Sequence, residues 1–277
     1  MEKHHFMRQV IEVEALEDER LDLFTKYNEA QLFHYYEPNG GVFIAETPEV
    51  IKRALNRGAE PIAFLVEEKA AKTDEVQQLL STLSDEVNVF VAKLEVINKL
   101  TGFNLTRGVL AACKRPTLPD AVDILSTAKR IAVLEDVMNP TNVGAIFRSA
   151  AALGVDGIVL TQNSADPFYR RAARVAMGTV FQVPWTYFSK GADYVTILKN
   201  NGFKVVSMAL KDNAISLAEP VLKKQDKLAI IFGTESTGIK QETIDASDFV
   251  AIIPMYHGVD SLNVAAASAV TFWELCK

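Results

Sequence analysis

Short apolar runs recur along the second half of the chain, and each is followed by a longer stretch whose apolar residues fall at helical spacing. Residues 131–134, 158–160, 204–208, 228–232 and 249–253 read as strands. Their hydrophobicity is nearly continuous rather than alternating, which marks strands buried on both faces and predicts a parallel sheet covered by helices. Ligands in such sheets bind beyond the carboxyl ends of the strands. The first half has a second, weaker rhythm. Residues 22–36 read as one helix, and Pro38-Asn39-Gly40-Gly41 makes a turn into a strand at 42–45. Thr47-Pro48-Glu49 opens a helix that Gly58 closes, with a cap, a proline in the first turn and an acid beside it. A strand at 62–66, a helix at 74–83, a strand at 87–91 and a helix at 94–100 follow, and residues 106–115 combine a buried strand with Arg107, Lys114 and Arg115. The expected architecture is α/β throughout: an acidic, helix-compatible appendage at 1–20, a small domain at 21–115, a proline-stiffened linker at 116–128 and a larger parallel-sheet domain at 129–277.

Three predicted strand ends carry unusual turns. The first precedes a helix that reads Asn139-Pro140-Thr141-Asn142-Val143-Gly144-Ala145-Ile146-Phe147-Arg148. Val143, Ile146, Phe147, Ala150 and Ala151 form its sheet-facing stripe, and Arg148 lies off that stripe. The second is Phe232-Gly233-Thr234-Glu235-Ser236-Thr237-Gly238-Ile239. It is not a phosphate loop, because Ile239 intervenes before Lys240 and no Ser or Thr follows to hold magnesium. Its glycines allow backbone to approach a ligand, and Glu235 supplies one carboxylate. The third runs Ile253-Pro254-Met255-Tyr256-His257-Gly258-Val259-Asp260-Ser261-Leu262-Asn263, then a run of alanines. Asp260 or Ser261 is a good cap for a final helix starting near Leu262. Packing of His257, Asp260 and Ser261 into one short turn, with no GxSxG elbow, argues against a hydrolase triad. Taken singly, Arg148 reads first as a solvated arginine, and Glu235 reads equally as a capping or solvent-facing acid.

Composition narrows the classes. At 277 residues and 49% hydrophobic content the chain can bury a sizeable core in two domains. Cys113 and Cys276 stand far apart without a CxxC or a histidine at ligand spacing, so neither a zinc site nor a disulfide framework is expected. The polar amino terminus predicts neither a signal peptide nor a membrane span, and a cytoplasmic location is the default. The net charge of −6 counts against a protein that grips long nucleic acid by bulk electrostatics, while leaving room for local basic patches. Arg170, Arg171 and Arg174 form one such patch at helical spacing, to be read either as an RNA-tracking face or as a solvated face paired with acids.

In order and spacing, the three turns resemble the signature motifs of the SpoU-type (TrmH-like) RNA ribose 2′-O-methyltransferases of the SPOUT class, over essentially all of residues 130–277. The resemblance implies a deep trefoil knot in the parallel-sheet domain. It also implies that S-adenosyl-L-methionine is wrapped by Phe232, Gly233, Thr234, Glu235, Gly238, Ile253, Pro254, Met255, Ser261, Leu262 and Asn263. Catalytic positions carried over are Asn142, Arg148, Glu235, Ser261 and Asn263. It implies as well a homodimer, with 272–275 as a contact surface, and an rRNA or tRNA substrate; the cysteine spacing already predicts no metal. The first domain looks like the ribosomal-protein-L30e-like RNA-binding domain of many such enzymes, or else a generic α/β scaffold; Arg107, Lys114 and Arg115 in it, with Arg170, Arg171 and Arg174 in the larger domain, are the candidate RNA contacts. Gly258 stands one residue later than the usual glycine, and Ala265 and Ala176 replace frequent serines. Alternatives are a catalytically silent RNA-binding factor of the same fold and a methyltransferase for a non-RNA substrate.

Overall fold

The structure is a computed structural model that describes residues 10–101, 108–234 and 236–277. The chain divides into two units, Met1–Thr117 with Phe168–Arg174, and Leu118–Pro167 with Val175–Lys277. Among the described residues no helix is long and apolar enough to cross a membrane.

In the first unit, β1 (Val10–Val13), β2 (Val42–Glu46), β3 (Glu60–Glu67), β4 (Asn88–Ala92) and β5 (Val109–Lys114) form a mixed sheet in the order β1-β4-β3-β5-β2. Pairs β1/β4 and β4/β3 are parallel, and β3/β5 and β5/β2 are antiparallel. Strand β1 lies within the stretch expected to be a helix-compatible appendage; its Val-Ile-Glu-Val alternation suits a sheet edge better than a helix. Helices α1 (Asp22–Thr25), α2 (Glu29–Phe33), α3 (Pro48–Asn56), α4 (Asp74–Ser81) and α5 (Leu94–Thr101) complete the unit. The single helix expected at 22–36 is broken in two by Asn28. Its side chain accepts from the Gln31 N–H at 2.9 Å while the Gln31 side chain accepts from the Asn28 N–H at 3.0 Å, a reciprocal cap that restarts the helix. Leu65, Phe90 and Leu110 are fully buried in this unit's core. Helix α8 (Arg170–Val175) follows the second unit's early strands in sequence, but all of it except Val175 groups with the first unit.

The second unit holds β6 (Arg130–Leu134), β7 (Gly157–Leu160), β8 (Trp185–Tyr187), β9 (Lys204–Met208), β10 (Ile215–Ser216), β11 (Leu228–Phe232) and β12 (Phe249–Ile252). Their order is β10-β12-β9-β11-β6-β7-β8, and every pair is parallel. This order sets the carboxyl ends of β12, β9, β11 and β6 side by side, although they come from four distant parts of the chain. The helices are α6 (Ala121–Thr127), α7 (Pro140–Leu153), α9 (Tyr194–Asn200), α10 (Pro220–Lys223), α11 (Gln241–Ala246) and α12 (Val264–Leu275). Asn139 caps α7 by accepting from the Thr141 N–H at 2.9 Å, Pro140 occupies its first turn, and left-handed Gly154 ends it. Val143, Ile146, Phe147 and Ala150 are buried as expected, whereas Ala151 is exposed because eight residues of helix carry it about 80° around from Val143.

Helix α12 packs against α7. The Phe272 ring meets Phe232, the last residue of β11, edge-on at 5.5 Å. Phe272 and Leu275 are buried inside the unit, so of the expected contact surface at 272–275 the exposed apolar group is Trp273. Arg130 secures the far end of α12: its Nε donates to the Leu275 carbonyl at 2.9 Å and its Nη1 to those of Asp226 and Lys129 at 3.1 Å each.

Candidate active site

A cavity of about 440 Å³ opens beyond the carboxyl ends of β9, β11 and β12. It falls within the roughly 300–1,000 Å³ typical of small-molecule sites. From the β11 turn, Phe232, Gly233, Thr234 and Gly238 line it. From the β12 turn come Ile253, Met255, Ser261, Leu262 and Asn263. Nine of the residues expected to wrap a cofactor therefore meet at one hollow. Pro254 is exposed and is not among the lining residues, and Glu235 lies outside the described residues. Met208 at the end of β9, and Leu210 and Lys211 just beyond it, also line the wall; the sequence signal for them was only that a predicted strand ends there.

The β11 turn is narrow at its neck and closed at its tip. A Cβ on Gly233 would stand 2.4 Å from the Gly238 carbonyl carbon and 2.5 Å from the Ile239 nitrogen, so this glycine admits the loop's own return strand. The sequence reading assigned that freedom to the approach of a ligand. At the tip the Gly238 N–H donates to the Thr234 carbonyl at 3.0 Å and the Thr234 N–H to the Gly238 carbonyl at 3.3 Å. Gly238 sits at φ +67°, where a side chain is strained.

The first and third turns meet through Asn142 and Asn263. The Asn263 amide donates to the Asn142 carbonyl oxygen at 3.3 Å, and Asn142 is buried on α7. Asn263 is also the cap of α12, accepting from the Ala265 N–H at 2.9 Å. The sequence had suggested Asp260 or Ser261 as that cap, but both precede the start of the helix, and both face the cavity. Arg148 is exposed and does not line the cavity. It follows Asn142 by six positions on α7, which is about 9 Å of rise and roughly 120° of rotation away.

Sequence reasoning passed over a polar hub at the end of β6. Glu135 is 1% exposed, and its carboxylate accepts from the Lys240 N–H at 2.6 Å, the Thr243 hydroxyl at 2.6 Å and the Tyr194 hydroxyl. Burial first, and then the hydrogen bond to Glu135, raises the Tyr194 pKa well above its ordinary value, so the phenol remains a donor. Next along the chain, Asp136 accepts from the Thr161 hydroxyl at 2.7 Å and pairs with Lys240 Nζ at 3.2 Å. Burial works to raise the Asp136 pKa, but hydrogen bonds from Thr161 and Lys240, with the Lys240 charge, act against it, and the carboxyl is held below its usual value. The same pair raises the Lys240 pKa. Two consecutive acids immediately after an apolar strand, at the crevice end, were the available signal.

The cationic candidates divide. Arg174 Nη1 lies 3.3 Å and Arg170 Nε 3.8 Å from the carboxylate of Glu46, itself 1% exposed. That is the acid-paired reading of this face for two of its three arginines. Arg171 is exposed. Lys114 pairs with Glu60 at 2.7 Å, and Arg115 stacks over Phe33 and Phe168 at 4.4 and 5.0 Å. Arg107 lies outside the described residues. Burial raises both cysteine thiols to about 12.

Residues 129–273 match the SpoU rRNA Methylase family. A protein of Mycobacterium tuberculosis (strain H37Rv), named as an uncharacterized tRNA/rRNA methyltransferase, is 34% identical over 267 residues, which cover 93% of this chain and 88% of that one. The 23S rRNA (guanosine(2553)-2′-O)-methyltransferase RlmP of Bacillus subtilis is 28% identical over 84% of this chain and 88% of its own. Among solved structures, an AdoMet-bound rRNA methyltransferase from Sinorhizobium meliloti superposes with a TM-score of 0.79 at 24% identity, covering 96% of this chain and 97% of that one. The SpoU methyltransferase AviRb from Streptomyces viridochromogenes, in complex with AdoMet, gives a TM-score of 0.76 at 20% identity over 92% and 94%. At those identities the two structures establish the shared fold.

Proposed function

The chain belongs to the SpoU rRNA Methylase family, and we propose that it transfers a methyl group from S-adenosyl-L-methionine to a ribose 2′-hydroxyl of rRNA or tRNA. The observation that carries this reading is the convergence of three remote turns: two line one cavity, and the Asn142–Asn263 hydrogen bond ties the third to its rim. The cavity suits the proposed donor by its size, its place beyond the strand ends, and a lining in which apolar Met208, Leu210 and Leu262 alternate with backbone turns. Bound there, S-adenosyl-L-methionine supplies an activated methyl group.

The chain's own residues have to hold the hydroxyl in line and stabilise the negative charge that develops on it. Ser261 and Asn263 face the cavity and are assigned to orient the ribose; Asn142 holds Asn263 in place. A guanidinium is effectively always protonated, so Arg148 is assigned to a neighbouring phosphate and the developing alkoxide rather than to proton abstraction. Its exposure and its rotation away from Asn142 make it available to the cavity of a second copy, and a homodimer is part of the proposal. So are the trefoil knot, an L30e-like RNA-binding role for the first unit with Arg171, Lys114 and Arg115 on the RNA path, and a cytoplasmic site of action.

The test is methyl transfer to RNA by the purified protein, with calorimetric titration of S-adenosyl-L-methionine alongside. Wild type is expected to bind the donor and to label ribose 2′-oxygens; Arg148→Ala should lose transfer while keeping donor affinity within about twofold. Absence of donor binding by wild type refutes the reading, and loss of donor affinity in Arg148→Ala reassigns that arginine to a structural role.

A further inference from the structure

We propose that Glu135 is a positioning residue that clamps both ends of the 233–239 loop and so sets the shape of the donor cavity, an inference that rests on the donor-binding reading above. The residue touches each end of that loop with a different group. Its backbone N–H donates to the carbonyl of Phe232, the last residue before the loop, at 2.8 Å. Its carboxylate accepts from the N–H of Lys240, the first residue after it, at 2.6 Å. Between those points the chain closes on itself through the Thr234–Gly238 pair, and Thr237, Gly238 and Ile239 face the cavity.

A carboxylate this deeply buried is costly unless donors surround it. Here the Thr243 and Tyr194 hydroxyls complete the shell, arriving from α11 and α9, so the carboxylate ties two helices and the loop's exit to the end of β6. A second tether runs alongside through the Asp136–Lys240 pair, but it holds only the flexible end of a half-exposed lysine. The backbone contact at Lys240 fixes where the loop returns, and with it the position of Ile239 in the cavity wall. Charge-assisted hydrogen bonds to a carboxylate are about twice as strong as neutral ones, which suits a group that fixes where a loop leaves and returns.

The experiment compares wild type, Glu135→Ala and Glu135→Gln by calorimetric titration with S-adenosyl-L-methionine, by separate KM values for the donor and for RNA, and by amide hydrogen exchange over residues 236–240. Glu135→Ala is expected to weaken donor binding by about tenfold or more and to speed exchange in the loop, with the KM for RNA unchanged. Glu135→Gln keeps an acceptor for the Lys240 N–H, and the two hydroxyls can turn to accept from its amide, so donor affinity should return to within about threefold of wild type. Should Glu135→Ala not fold, the double variant Thr243→Val with Tyr194→Phe strips two of the three donors and should show a smaller shift of the same sign. Wild-type exchange and donor affinity in Glu135→Ala overturn the clamp, as does an equal rise in both KM values. A wild type that gives no heat with S-adenosyl-L-methionine overturns the donor reading itself, while the exchange comparison still decides the clamp.

Discussion

Gly233 and Gly238 bracket the tip of the cavity loop, and replacing each by alanine separates two physical demands on it. At Gly233 the added Cβ would lie 2.4 Å from the Gly238 carbonyl carbon, 2.5 Å from its oxygen and 2.5 Å from the Ile239 nitrogen. All three are backbone atoms, so no side chain can swing aside, and the neck has to open by about 1 Å to reach ordinary van der Waals separation. Opening it breaks the Thr234–Gly238 pair, two hydrogen bonds with a net value of about 0.5–1.5 kcal/mol each. The overpacking adds about 1–3 kcal/mol. Even if only half of that total is felt at the cavity, donor affinity should fall by about fivefold or more, since about 1.4 kcal/mol is a factor of ten. At Gly238 a Cβ would meet nothing within 4 Å, and the penalty is only that of φ +67° for an L-residue, about 1–2 kcal/mol shared over a loop that keeps its neck. Gly238→Ala should therefore bind the donor several times more tightly than Gly233→Ala. Titration calorimetry on both variants at one pH and salt concentration decides it. Equal affinities, or the reverse order, would show that the neck does not govern the cavity.

Two further outcomes concern stability. Arg130→Ala should lower stability by about 1–3 kcal/mol, because one guanidinium serves the carbonyls of Leu275, Asp226 and Lys129; Arg130→Lys should not restore it, since an ammonium cannot span them. Urea unfolding midpoints test this, and a lysine variant equal to wild type refutes it. Asp136 has a folded pKa held below its ordinary 3.8, so the stability it contributes is fully present above that value and is lost as pH falls through the folded pKa. The stability gap between wild type and Asp136→Asn should accordingly be open at neutral pH and close in strong acid; a gap independent of pH would contradict the assignment.

The long apolar runs made most of the second unit legible, because a strand buried on both faces leaves a signal that needs no partner to read. Strands β8 and β10 were missed for the opposite reason: three residues and two residues carry too little pattern to stand out. In the first unit β1 was hidden among acids, and the break between α1 and α2 rests on a side-chain exchange at Asn28 that composition alone disguises as continuous helix. At the site, the second and third turns were readable from their glycines and small polar residues. The choice of Asn263 over Asp260 or Ser261 as the helix cap was not, because local sequence favours all three and the deciding contact is with Asn142, far upstream. The place of Glu135 at a strand end was legible but its role was not, for the same reason, as its donors come from Tyr194, Lys240 and Thr243, and no local rule connects them.

The wall of the cavity is assembled from Met208 through Ala267, and its last strand and last helix close the sheet next to segments made much earlier. A chain emerging from the ribosome therefore acquires the pocket in one late event, when β12 slots beside β9 and α12 settles on α7. Nascent products halted before β12 should be unable to retain the methyl donor at all, rather than retaining it weakly, because half of the wall that would hold it has yet to be made.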